Sequence, residues 1–99
     1  MLMIEAELTK QRLDHYLNLT KSAREKVRPM EHLTVQQQSD VQILLEMADA
    51  YISDAHYFSD QGDYIRSFGA INYAHAWIDA GVKLRLLDGQ GDDVLFTLP

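Results

Sequence analysis

The residues best placed to do chemistry are Asn72, His75 and Asp79, which fall at i, i+3 and i+7 and so share one line along a helix. An imidazole and a carboxylate one turn apart can hydrogen-bond, which raises the basicity of the ring and fixes its tautomer. That is half of a general-base device, or two ligands of a metal site. A third ligand would have to come from His56, Asp54 or His15, and the spacing aligns none of them. The expectation is therefore no metal and no catalytic set. The preferred reading of the line is a satisfied polar seam that sets helix register, because a buried polar group needs a partner whatever its function.

Two further polar residues belong beside it. Arg66 falls near the end of the preceding helix, where it can pair with Asp60 or Asp63 or anchor a carboxylate from elsewhere. An exposed ion pair is the plainer reading. Asp54 lies beside Met47 and Phe58 rather than among polar neighbours, and a bond to the hydroxyl of Tyr51 or Tyr57 is expected, since an unpaired buried carboxylate is costly. Asp92 and Asp93 follow a glycine, but two acids fall far short of a calcium loop. There is no phosphate-cradling glycine loop, nucleophile elbow or zinc signature.

These residues must be held by helices. The block Gly62 to Val82 opens with a helix-stop glycine and a capping aspartate, then runs with apolar or small residues on nearly every side. Such a helix is buried on more than one face. Glycine at 89 or 91 places its end near Leu87. It carries two apolar arcs: Tyr64, Phe68, Ile71, Ile78, Val82 and Leu86 on one, and Tyr73, Trp77, Ala80 and Leu84 on the other. The second arc is predicted to be buried within the chain. Its sharper alternative is a contact surface anchored by Tyr73, Trp77 and Leu84, since Trp and Tyr are favoured at interfaces.

An earlier helix is predicted up to Gln61, with Val41, Leu44, Leu45, Ala48, Tyr51, Ile52, Ala55 and Phe58 in one broad stripe. Two capping boxes, Thr34 with Gln37 and Ser39 with Gln42, compete for its start. The short turn at Gly62 makes these two helices antiparallel. Ala48 and Ala55 are expected to face Gly69, Ala70 and Ala76, letting the axes approach closely. The first helix is read from about Ile4 to Arg28, where Pro29 ends it. Val94 to Leu98 is expected to fold back as an extended cover.

Ninety-nine residues suit one domain, residues 1–99. A domain this small buries only about two-thirds of its unfolded surface, so its stability margin is thin and self-association would help. The formal net charge of -6 argues against binding a nucleic acid backbone or an anionic lipid surface. The absence of cysteine removes disulfides and thiolate sites and fits a cytoplasmic protein. No apolar run approaches the roughly 20 residues of a membrane span.

The run Ala48-x-x-Tyr51-x-x-Asp54-x-x-Tyr57-Phe58-x-x-x-Gly62-Asp63-Tyr64, followed by Tyr73-Ala74-His75-Ala76-Trp77-Ile78-Asp79-Ala80-Gly81-Val82, resembles the small archaeal family known as domain of unknown function 357. The likeness is strong over residues 38–97 and looser over the first helix. It implies a left-turning three-helix up-and-down bundle and no assigned activity, in keeping with the all-α fold, long helical hairpin and short extended C-terminal tail read from the residues. It singles out Tyr51, Asp54, Gly62, Asp63, Tyr73, His75, Asp79 and Gly81. The chain departs from the pattern at Ser67 and Ala76, small-for-small changes. A fainter likeness to a helical ribonuclease family lacks the catalytic spacing, because Arg66 and His75 stand too far apart.

The function expected is a non-catalytic helical interaction module that self-associates or binds a protein partner, without cofactor. The competing expectation is a small-ligand or nucleotide-linked enzyme accessory using Arg66, Asn72, His75 and Asp79.

Overall fold

The computed structural model describes residues 7–99, so that Met1–Ala6, including the expected start of the first helix, lie outside it. The chain forms α1 (Lys10–Lys26), β1 (Arg28–Pro29), α2 (Val35–Asp60), α3 (Tyr64–Lys83) and β2 (Leu87–Asp88). The three helices run up, down and up, as the resemblance implied.

Local chemistry sets most of the boundaries. Thr9 caps α1 by accepting from the Arg12 N–H, so the helix begins after it. Arg24 and Lys26 occupy the last turn, where cations suit the dipole, and Pro29 follows. Of the two rival capping boxes, Thr34 with Gln37 forms: Gln37 N donates to Thr34 Oγ1 at 3.1 Å and Thr34 N to Gln37 Oε1 at 3.0 Å. Ser39 lies inside α2. The helix stops at Gly62, whose φ of 76° only glycine adopts cheaply. Asp63 N reaches Phe58 O and Gly62 N reaches Ser59 O, which completes a Schellman cap. Asp63 then caps α3 through the Arg66 N–H.

The end of α3 corrects the expectation. It stops at Lys83, four residues before Leu87. Arg85 takes φ 62° in the position usually given to glycine, with Arg85 N bonded to Val82 O and Leu86 N to Gly81 O. Leu87–Asp88 then pair antiparallel with Arg28–Pro29, and Met30 N donates to Leu86 O. A two-residue ladder thus ties the α1–α2 connection to the chain leaving α3.

The hairpin interface is also shifted from the predicted one. Gly69 and Ala76 are exposed and Ala70 is half-buried. The buried small residues of α3 are instead Ser67, Ala74 and Gly81, spaced seven apart like Val41, Ala48 and Ala55 on α2. Counted outward from the turn, Ser67 comes level with Ala55, Ala74 with Ala48 and Gly81 with Val41. Ser67 Oγ donates to Ala55 O at 2.7 Å, so its buried hydroxyl is satisfied by the facing helix. A Cβ on Gly81 would fall 2.5 Å from Leu87 Cδ1, so the missing side chain seats Leu87.

The core has two parts. Leu13 and Leu17 of α1 pack with Ala55 and Ile71 near the hairpin turn. Ala23, Val27, Val41, Ala48, Ile78, Val82, Leu87 and Phe96 pack at the other end. α1 is further linked to α2 by Arg24, whose guanidinium reaches Asp49 at 2.7 and 3.1 Å. Among the described residues no helix is long and apolar enough to cross a membrane.

Candidate functional site

Two edges of α3 carry its polar and aromatic exceptions. The edge turned toward α1 presents His75, Asp79 and Lys83, each one turn after the last. The chain passing Gly91 folds back across this edge and meets all three. His75 Nε2 lies 2.7 Å from Leu95 O. A carbonyl can only accept, so Nε2 carries the proton, and Nδ1 takes the Thr20 hydroxyl hydrogen at 2.9 Å. Asp79 accepts from Thr97 N at 2.9 Å and from its hydroxyl at 3.4 Å. Lys83 Nζ donates to Leu98 O at 2.9 Å.

The same segment is held from below. Asp92 accepts from Val94 N and Leu95 N and pairs with Lys26 of α1 at 3.0 Å. The Leu95 N–H, then Lys26 and the Val94 N–H, outweigh burial and hold its carboxyl below the usual carboxylate range. Phe96 is buried, its ring so close to Gly89 that a Cβ there would sit 2.9 Å from Cδ2. Gln90 Nε2 donates to Lys26 O at 2.7 Å. The tail is therefore a strap with one turn in it, closed by Phe96 N bonding to Asp92 O, rather than a wholly extended cover.

The distances decide what His75 and Asp79 do. His75 Nε2 and Asp79 Oδ1 are 3.9 Å apart, too far for a hydrogen bond, while each is within 3 Å of a strap group. The carboxylate does not orient the imidazole, and both ring nitrogens are occupied. The His75 side chain retains 17% exposure.

The other predicted members of the line do not join it. Asn72 is exposed and its side chain makes no hydrogen bond among the described residues. Arg66 stands near the hairpin turn, its Nε 3.5 Å from Asp63 and its guanidinium 5.9 Å from the Phe58 ring centre. Asp54 corrects its expectation: it is exposed and bonds neither tyrosine. His56 is exposed as well, and among the described residues no group of three His, Cys, Asp or Glu could hold a metal ion.

The opposite edge of α3 is the second apolar arc. The strap runs on the α1 side and does not cover this arc, so the predicted intrachain burial holds for Trp77, which packs against the core with its indole N–H buried, and fails for Tyr73, Ala80 and Leu84. Tyr73 is 49% exposed and Leu84 66% exposed, while Trp77 is half-buried. Tyr73 meets Tyr51 of α2 edge-on at 4.4 Å and Trp77 at 6.0 Å, building an aromatic row across the hairpin. Beside that row lies a shallow hollow walled by Tyr51, Asp54 and Phe58 of α2 and by Arg66 and Tyr73 of α3.

Thr20, Lys26 and Lys83 are the residues that sequence reasoning missed in the strap clamp. Two left a signal: Thr20 is a hydroxyl within an apolar stripe, and Lys83 continues the four-residue spacing from His75 and Asp79.

Residues 15–87 match the family described as a protein of unknown function, DUF357. The match takes in most of α1 and ends at Leu87, before the strap. Neither curated proteins nor solved structures yield a match to the chain.

Proposed function

We propose that this chain, which belongs to the DUF357 family, works as a non-catalytic helical interaction module that associates with itself. The observation that carries this reading is the outer face of α3. Gly69, Tyr73, Ala76, Ala80 and Leu84 are all exposed, and none is charged. Together they form an uncharged strip from Gly69 to the cap residue Leu84, bordered by the exposed Asn72 and Lys83; water solvates such a strip poorly, and contiguous apolar patches mark contact sites. Tyr73 supplies a rigid aromatic anchor at its centre, backed by Trp77, which packs against the core behind it. The polar edge lends support from the other side, because His75, Asp79 and Lys83 each hydrogen-bond the chain's own strap. The cytoplasm is the setting proposed with this function, on the cysteine-free composition alone.

Sedimentation velocity over a concentration series tests it. A weight-average mass that climbs toward a dimer supports the proposal. A strict monomer at every concentration contradicts it.

A further inference from the structure

Building on that self-association, we infer that the occupant of the open face is a second copy of this chain, docked so that Asp54 of each copy pairs with Arg66 of the other. Charge supplies the argument. α2 contains Asp40, Glu46, Asp49, Asp54 and Asp60 and neither lysine nor arginine. Asp40 accepts from Gln36, Glu46 from Gln42, and Asp49 is clasped by Arg24. Asp54 lines the hollow, and its carboxylate has no hydrogen bond or ion pair among the described residues. Arg66 forms the α3 wall of the same hollow, yet it turns to Asp63 and the Phe58 ring instead. Acid and base thus share one hollow without meeting inside one chain.

A twofold axis running along the hairpin resolves both. It sets α2 of one copy over α3 of the other, brings each Asp54 toward the opposite Arg66, and lays Tyr51 against the opposite Tyr73. A twofold contact is self-complementary by construction, so the pair forms twice. There is space for it: a Cβ built on Gly69, in the floor of the hollow, meets nothing within 4 Å. The opposed charges fix the register, which the uncharged aromatic row alone does not.

The experiment is sedimentation equilibrium on the full chain with Asp54→Arg, Arg66→Asp and the double exchange. Both positions are exposed, and far-UV circular dichroism checks that each variant remains helical. Each single reversal is expected to weaken dimerisation about tenfold, because two pairs turn repulsive at once. The double exchange restores it. Singles without effect, or a double no better than either single, overturn the pairing while leaving self-association intact. A wild-type chain that never dimerises removes the self-association reading and the pairing together.

Discussion

The two edges of α3 are built from opposite materials, and each ends in a state that its residue types do not announce. The inner edge holds His75, Asp79 and Lys83, residues able to do chemistry, and each is committed to a strap residue. The outer edge holds Tyr73, Trp77 and Leu84, residues that ordinarily fill a core, yet Tyr73 stands half in water and Leu84 largely so. Polar groups in a groove need not mark a site if the chain brings its own backbone to satisfy them. Apolar groups on a helix need not mark a core if no third element reaches them. Here α1 and the strap both fall on one side of the α2–α3 hairpin, and the asymmetry follows.

The comparison can be broken most forcefully at the strap. Phe96→Ala empties the notch beside Gly89 and should cost about 3 kcal/mol, seen as a lowered urea midpoint. Self-association should be untouched, since the strap lies on the far side. His75→Ala should follow at about 2 kcal/mol, because it strands the Leu95 carbonyl and the Thr20 hydroxyl together. Faster hydrogen exchange at the Thr97 amide would localise the loss to the strap.

Acid sharpens the same edge more gently. The Asp92 carboxyl is held below its ordinary value of 3.8 in the folded chain, so the unfolded chain binds more protons as the pH falls. Its stabilising effect is complete above the unfolded value and is lost as pH drops through the folded one. Urea midpoints should therefore decline below about pH 4, and Asp92→Asn should flatten that decline. The smallest effect belongs to the cap of α3. Arg85 occupies the left-handed region, and Arg85→Gly should stabilise the chain by under about 1 kcal/mol in a thermal melt.

Legibility in the sequence tracks side-chain signals. Gly62 and Asp63 announce the hairpin turn, and Thr34 with Gln37 announces the start of α2, because these residues act through their own conformational freedom or their own oxygens. The α3 terminus is illegible because Arg85 carries no mark of a left-handed cap, and the two-residue ladder is too short to show periodicity. The hairpin register is hard to read because Gly69, Ala70 and Ala76 are as small as Ser67, Ala74 and Gly81; only the seven-residue spacing shared with α2 separates them.

The strap clamp lies between these cases. His75 and Asp79 stand out as polar exceptions, and both side chains find hydrogen-bond partners, whereas that of Asn72, read on the same line, finds none among the described residues. Their partners are the backbone of residues 95 and 97, 20 and 18 positions further on, and backbone groups have no sequence signature. The openness of the outer arc was hidden for a related reason: Tyr73 and Leu84 look alike whether or not a strap lies over them.

The most direct measurement compares the two edges by sedimentation equilibrium, with Leu84→Asp beside His75→Ala at matched concentrations. The structure predicts that Leu84→Asp abolishes self-association with little change in thermal stability, while His75→Ala loses stability and still associates. Association lost on the His75 side and retained on the Leu84 side would contradict it.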